Sequence, residues 1–268
     1  CRCTGYGPIV RAGEKACATP HPIASAPKQD AEPLGYERAI ADGSYRFFAP
    51  TALDQLAKLC ESHPDAVILG GATDVGLWVT KQGRRIETAI SVMRVAELQS
   101  IKSTKAGVEI GAAVRYADAQ ELLATLHPSL KEYVRRLGAV QVRDSGTVVG
   151  NIANGSPVGD MSPVLIALGA GIRLRKGSNE RTLPLERFFI AYGRQDRAPG
   201  EIVTHVDIPP LPKGAFFAAE KISKRFEQDI SAVSAGFMVR VETGVVAEAR
   251  LAFGGMAGIP KRATQAEA

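Results

Sequence analysis

The chain has 268 residues, 45% of them hydrophobic and 23% charged, which is the composition of an ordinary globular protein. Its net charge of +5 does not predict nucleic-acid binding, because the lysines and arginines are spread along the chain. No apolar run approaches the length that spans a bilayer, and the first residues lack the order of a signal peptide, so we expect no membrane partner.

Two cysteines one residue apart, Cys1 and Cys3, open the chain in a turn rich in glycine and proline. Such a pair can direct two thiolates to one iron, and a two-iron cluster needs four thiolates in all. The alternatives are a disulfide and two free thiols without a function. Cysteines this close in sequence form a strained disulfide ring. Cys17 and Cys60 have no metal-ligand spacing, so the cysteine usage predicts a reducing, cytoplasmic compartment. We expect the chain to begin inside a domain.

Residues 14–43 contain four prolines and no sustained hydrophobic period, which predicts a linker. A strand is predicted at 45–48, followed by a helix that ends near His63. Residues 66–69 are apolar and predict a buried strand that runs directly into a glycine-rich loop at 70–76. A strand followed by a glycine loop is a common way to build a ligand site.

The middle of the chain has the patterns of both helices and strands. The segment 146–159 differs, because it holds four glycines and two asparagines without a hydrophobic period, and long structureless loops are usually functional. The other predicted elements are a strand at 89–92, a hairpin at 101–112, helices at 116–126, after Pro128 and at 163–168, a hairpin at 172–183, a strand at 202–208, and a final sheet at 216–221, 234–241 and 249–253.

The two glycine-rich segments carry the clearest functional signal. Small residues at 70–74 let the main chain approach a ligand, and successive N–H groups there can surround phosphate oxygens. Neither a dinucleotide fingerprint nor a P-loop is present, and a plain tight turn is the alternative interpretation. The second segment is followed by Asp160, which could accept a hydrogen bond from a ribose or ribityl hydroxyl.

Several motifs in register resemble the small, flavin-carrying subunit of bacterial xanthine dehydrogenase, within the molybdenum hydroxylase flavoproteins. The matching motifs are residues 1–6, 70–76, 147–152 with Ser156, Pro157 and Asp160, and 253–257. The resemblance covers essentially the whole chain. It implies an α+β fold, with a vanillyl-alcohol-oxidase/PCMH-type FAD-binding domain in two subdomains at 44–210. An incomplete C-terminal α+β domain like that of the CO dehydrogenase flavoprotein would follow at 211–268, and residues 1–13 would end a [2Fe-2S] domain.

The resemblance also implies site residues. Cys1 and Cys3 would be two of the four ligands of a [2Fe-2S] cluster. Lys221 and Val203 would flank the isoalloxazine, where the Lys221 cation would stabilise the anionic reduced flavin. No catalytic side chain is implied, because the flavin carries out the chemistry. The other implied FAD contacts are Ile68, Leu69, Gly70, Gly71, Ala72, Thr73, Asp74, Val75, Leu137, Thr147, Val148, Val149, Gly150, Asn151 and Asp160.

The activity implied by the resemblance is electron transfer within a heteromeric xanthine dehydrogenase. A large subunit that binds the molybdenum cofactor would oxidise the purine, and electrons would pass through iron–sulfur clusters and FAD to NAD. Gln228 stands where relatives often have an acid, which leaves the preference for NAD open. One alternative is the flavin subunit of another molybdenum hydroxylase, such as carbon monoxide dehydrogenase or an aldehyde or quinoline oxidoreductase. Another is a non-catalytic electron-transfer module.

Overall fold

The computed structural model describes residues 7–18, 35–40, 43–226 and 228–268. The chain divides into two compact units, Cys1–Pro33 and Leu34–Ala268. The described part of the first unit is helix α1, Gly7–Ala18, which has no buried residue. This helix crosses the predicted domain boundary after residue 13. The predicted iron ligands Cys1 and Cys3 lie outside the described residues.

The second unit begins with a small mixed sheet. Residues 35–40 form the first strand of this sheet, so the segment predicted as a linker is structured in part. The sheet has the order β1-β2-β4-β3, in which β2, β4 and β3 are parallel and β1 is antiparallel to β2. The elements are β1 Gly35–Ile40, β2 Gly43–Phe48, α2 Leu53–Ser62, β3 Val67–Leu69, α3 Val75–Thr80 and β4 Thr88–Ser91.

Strand β3 is less buried than the sequence predicts. All three of its residues are half-buried, because β3 is the edge strand of the sheet and runs into an exposed loop. The burial of helix α2 matches the sequence prediction better, because Leu53, Leu56 and Cys60 are buried on one face.

The thiol of Cys60 is expected to be unreactive in the folded protein. Its burial raises the pKa to about 12, so almost no thiolate forms near neutral pH. Cys17 is exposed on α1 and serves as an internal comparison. Alkylation followed by peptide mass spectrometry should modify Cys17 and spare Cys60 until denaturant is added. Equal labelling of both residues would contradict the buried position of α2.

A second subdomain surrounds an antiparallel sheet of five strands in the order β5-β6-β11-β7-β8. One face of the sheet forms the main core with the helices, through residues such as Ile110, Ile172 and Val206. A 3-10 helix, Ala96–Gln99, precedes it. The elements are β5 Ile101–Thr104, β6 Gly107–Gly111, α4 Tyr116–Leu126, α5 Pro128–Arg135, α6 Val140–Ser145, α7 Val148–Ala153, α8 Met161–Ala167, β7 Gly171–Lys176, β8 Asn179–Pro184, α9 Leu185–Phe188, β9 Phe189–Ala191, β10 Arg194–Gln195 and β11 Ile202–Ile208.

The C-terminal part is a four-stranded sheet in which each strand pairs with the next one along the chain, in the order β12-β13-β14-β15. Strands β13 and β14 pack on helix α8. Helix α8 is buried along its whole length, so it joins this sheet to the preceding subdomain. The elements are β12 Ala215–Ile222, β13 Val233–Glu242, β14 Val245–Gly254, β15 Lys261–Arg262 and α10 Thr264–Glu267. The structure is thus α+β, with the two subdomains and the C-terminal α+β domain that the sequence predicts. No described helix is long and apolar enough to cross a membrane.

The five-stranded sheet carries a row of charges on its other face. Arg173 bridges Glu109, at 2.7 Å, and Asp207, at 2.8 Å, and Lys102 also pairs with Glu109 at 2.9 Å. Burial opposes the ionisation of Glu109, but the hydrogen bonds from Lys102 and Arg173 outweigh it and lower its pKa to about 2. His205 is buried in the same row, with Nε2 3.8 Å from Glu109.

Protonation of His205 is expected to destabilise the fold. Burial lowers its pKa below the ordinary value of 6.5, an effect that Glu109 and Asp207 oppose and Arg173 and Lys102 support. The unfolded chain therefore takes up this proton at a higher pH than the folded chain. The free energy of unfolding should fall as the pH drops below 6.5. Urea denaturation across this range should show a shallower pH dependence for His205→Gln, and an identical slope would contradict the assignment.

Candidate functional site

The two glycine-rich segments pack directly against each other. A Cβ atom on Gly71 would overlap the carbonyl oxygen of Ser145 and lie 2.7 Å from the main-chain nitrogen of Gly146. A Cβ on Gly70 would lie 2.8 Å from Oγ1 of Thr147. Position 71 therefore requires glycine, because main-chain atoms cannot rotate away, whereas a Cβ on Gly70 would displace only the Thr147 side chain. The loop that follows β3 is held beside the segment between α6 and α7, as expected if both segments contribute to one site.

The first loop exposes main-chain donors. Ala72 has a left-handed conformation with φ of 54°, which is uncommon for a residue with a side chain. Within the described residues, the N–H groups of Gly71, Ala72 and Thr73 donate to no protein acceptor. Successive free N–H groups around a left-handed residue form a nest for anionic oxygens. Next in the chain, the Asp74 carboxylate accepts the indole N–H of Trp78 at 3.1 Å. The loop can therefore hold a pyrophosphate by its main chain.

The second segment is more regular than the sequence predicts. Residues 148–153 form helix α7 within the stretch expected to be structureless. The Thr147 hydroxyl accepts the N–H of Gly150 at 3.0 Å and so caps the helix. Val148 and Val149 are buried in the core. Asn151 is half-buried, and its Oδ1 accepts the N–H of Met161 at 3.3 Å, which ties α7 to α8.

Two further predicted contacts are buried side chains. Leu137 follows α5 and is 6% exposed, and its carbonyl accepts a hydrogen bond from Arg143 at 2.9 Å. Val203 is 8% exposed and lies in β11 at an irregularity in the pairing with β7. Both side chains belong to the hydrophobic core. The structure shows no polar role for either side chain.

Asp160 and Lys221 form a buried ion pair. The Nζ of Lys221 lies 2.9 Å from Oδ2 of Asp160, and the Lys221 side chain is 1% exposed. The Ser231 hydroxyl donates to Oδ1 of Asp160. Asp160 immediately precedes α8, whereas Lys221 belongs to β12. The pair therefore fixes the C-terminal domain against the preceding subdomain.

The three N–H donors of Lys221 have three protein acceptors. Besides Asp160, the ammonium contacts the carbonyl of Asp229 at 3.1 Å and the hydroxyl of Ser231 at 2.8 Å. A lysine ammonium has only three protons to donate. In this arrangement Lys221 can act on a neighbouring group through its charge, without donating a hydrogen bond to it. The carboxylate of Asp160, by contrast, still has lone pairs that can accept a hydroxyl.

The motif at 253–257 also joins this region. The N–H of Gly255 donates to the carbonyl of Pro157 at 2.8 Å, and Gly255 is left-handed with φ of 84°. The Ser156–Pro157 turn and the Gly254–Gly255 turn, which the sequence groups in one family pattern, are therefore in contact. Their hydrogen bond is a second link between the subdomain and the C-terminal sheet.

Sequence reasoning missed several members of the site. Ser145 packs against the Gly71 loop, Ser231 binds Asp160, and Tyr133 donates to the Asp160 carbonyl at 2.6 Å. Each interacts through its main chain or a single hydroxyl, so no motif marks it. The helical period of α5 predicts the burial of Tyr133, and a buried phenol usually has a hydrogen-bond partner.

The structure thus combines a glycine cradle, in which Gly71 packs on the main chain of Ser145 beside free N–H groups, with a capped helix and a buried acid–lysine pair. The family model described as the FAD binding domain in molybdopterin dehydrogenase matches residues 43–211. The chain therefore belongs to this family. The model of the CO dehydrogenase flavoprotein C-terminal domain matches residues 218–268.

Curated relatives are similar to the chain in sequence, and solved structures share its fold. The chain is 30% identical to xanthine dehydrogenase/oxidase of Gallus gallus over 78% of this chain and 16% of that protein. The structure of carbon monoxide dehydrogenase from Hydrogenophaga pseudoflava is similar with a TM-score of 0.76 and 25% identity, covering 81% of this chain and 77% of the other. Quinoline 2-oxidoreductase from Pseudomonas putida 86 shares the fold, with a TM-score of 0.74 and 22% identity, covering 82% and 77%. The chain thus spans less than a fifth of the xanthine dehydrogenase.

Proposed function

We propose that the chain is the FAD-carrying electron-transfer part of a xanthine-dehydrogenase-type molybdenum hydroxylase. In this proposal it receives electrons from iron–sulfur clusters and delivers them to NAD, while a partner that binds the molybdenum cofactor oxidises a purine. The family match supports FAD as the cofactor, and the similarity to xanthine dehydrogenases supports the electron path. Cys1 and Cys3 would supply two of the four ligands of one [2Fe-2S] cluster.

The observation that carries the proposal is the cradle formed by Gly71 and Ser145. Only a glycine fits there, and the neighbouring N–H groups have no acceptor among the described residues. Bound FAD would accept an electron pair and release it to an acceptor. The chain's own task is to hold the cofactor: residues 70–75 would bind the pyrophosphate, and Asn151 and Asp160 would bind hydroxyls. The charge of Lys221 would favour an anionic reduced ring.

The proposal is tested by the visible spectrum of the chain after incubation with FAD and removal of the excess. A protein-bound flavin band is expected, and a folded but colourless protein would contradict the site. NADH is then added without oxygen. Bleaching of the flavin band supports transfer between FAD and NAD, whereas an oxidised flavin would reject NAD as the acceptor and favour a module that exchanges electrons only with other proteins.

A second candidate is the flavin subunit of another molybdenum hydroxylase, and the similarity to the Hydrogenophaga pseudoflava carbon monoxide dehydrogenase favours it. The two candidates differ in the molecule that accepts electrons from the flavin. Gln228, where relatives often have an acid, is left-handed with φ of 57°, and its carbonyl accepts from Arg225 at 3.2 Å. If Gln228→Asp accelerates flavin reduction by NADH, the amide limits the use of NAD, and the second candidate gains support.

A further inference from the structure

Helix α5 holds the main chain on both sides of the buried ion pair. The Tyr133 hydroxyl donates to the carbonyl of Asp160 at 2.6 Å, and Nη1 of Arg136 donates to the carbonyl of Lys221 at 2.9 Å. Tyr133 and Arg136 are three residues apart, so they lie on the same side of the helix. Arg136 itself is still helical in conformation, directly after the last residue of α5.

Arg136 binds the loop after β12 at several points. Its Nε donates to the carbonyl of Phe226 at 3.0 Å, and its Nη2 donates to the hydroxyl of Ser223 at 3.2 Å. The guanidinium also lies 5.0 Å from the centre of the Phe226 ring. One planar fork thus contacts the chain from Lys221 to Phe226, which a lysine ammonium cannot reproduce.

We propose that Tyr133 and Arg136 are positioning residues of the candidate flavin site, which fix Asp160 and Lys221 in place for the cofactor. This inference rests on the proposed function. The side chains of Asp160 and Lys221 hold each other, but their common location depends on where α8 and β12 lie. Helix α5 binds the residue that precedes α8 and also binds Lys221 in β12. The effect of the Lys221 charge on a neighbouring ring depends on distance, so a displacement of either carbonyl should be measurable at the flavin.

The chain offers a matched control in Tyr116. Both tyrosines are buried, at 4% exposure for Tyr116 and 2% for Tyr133. Burial, with a smaller contribution from the charge of Asp160, raises the pKa of both hydroxyls. The Tyr116 hydroxyl, however, has no hydrogen-bond partner among the described residues. Tyr116→Phe and Tyr133→Phe thus remove equally buried hydroxyls beside the same carboxylate, and only the second removes a bond to Asp160.

The first experiment measures FAD affinity and the midpoint potential of the bound flavin in three variants. Tyr133→Phe and Arg136→Lys should each bind FAD about three- to tenfold more weakly, the loss expected for one or two hydrogen bonds, and should change the potential. Tyr116→Phe should retain both values. The inference is overturned if Tyr116→Phe has the same effect as Tyr133→Phe, or if the two positioning variants behave like the parent chain.

A second measurement needs no flavin, so it separates this inference from the proposed function. Hydrogen exchange followed by mass spectrometry should show faster exchange after Asp160 in Tyr133→Phe and at 221–226 in Arg136→Lys, with no change in Tyr116→Phe. If the parent chain fails to bind FAD but these changes occur, the cofactor assignment fails and α5 still positions the pair. Unchanged exchange in both positioning variants overturns the inference, whatever the cofactor.

Discussion

Gly71→Ala is expected to abolish FAD binding. The added Cβ would overlap the Ser145 carbonyl, which belongs to the main chain and cannot rotate away, so the 70–74 loop must shift from the 145–147 segment. The free N–H groups of the loop would then no longer surround one point. We expect FAD affinity to fall by at least about 100-fold, because several charge-assisted hydrogen bonds to the pyrophosphate are lost together. Fluorescence titration with FAD measures this loss.

Gly76→Ala is the matched control for this prediction. Gly76 lies in α3, five residues further along, and a Cβ there would meet no atom within 4 Å. Alanine also favours the helix over glycine. This variant should bind FAD as tightly as the parent chain and unfold at the same or a slightly higher denaturant concentration. Tight FAD binding by Gly71→Ala would show that the glycine cradle is only a turn.

The sequence predicts much of the fold because its helices and strands have clear periods. Helix α4 has the predicted bounds 116–126, and strand β11 also occupies its predicted residues. The apolar residues of α4 recur with the helical period, and β11 is a short run rich in β-branched residues, so the local sequence indicates each element. Helix α7 was not predicted, because its six residues include a glycine and an asparagine and depend on the Thr147 cap and on tertiary burial.

The candidate site was predictable only where it has a local pattern. The residues at 70–75 form a contiguous motif, and the structure places them beside the second motif as expected. The bond between Asp160 and Lys221, by contrast, joins residues 61 positions apart, and neither residue type indicates its partner. The family resemblance implies that both side chains contact the flavin, but it does not imply that they pair with each other. That mutual pairing depends on how α8 and β12 pack, which no local pattern encodes.

Lys221→Met is expected to lower the free energy of unfolding by about 3–5 kcal/mol. Methionine fills a similar volume, but it leaves the Asp160 carboxylate buried without its cation. The Ser231 hydroxyl alone cannot offset that charge. Adding Asp160→Asn removes the unpaired charge, so the double variant should recover much of the lost stability. Denaturant unfolding, followed by circular dichroism, measures each value.

An exposed ion pair provides the comparison for this prediction. Arg115 and Asp118 are 2.7 Å apart with about half of each side chain in solvent, so water screens their attraction. Asp118→Asn should cost less than about 1 kcal/mol.

If Lys221→Met costs no more than this, the ion pair does not fix the C-terminal domain. If the single variant is strongly destabilised and the double variant is no better, the methionine packing is at fault rather than the unpaired charge. A large loss with partial recovery is the outcome that the buried geometry predicts, and it would show that the junction between the C-terminal domain and the preceding subdomain depends on these two side chains.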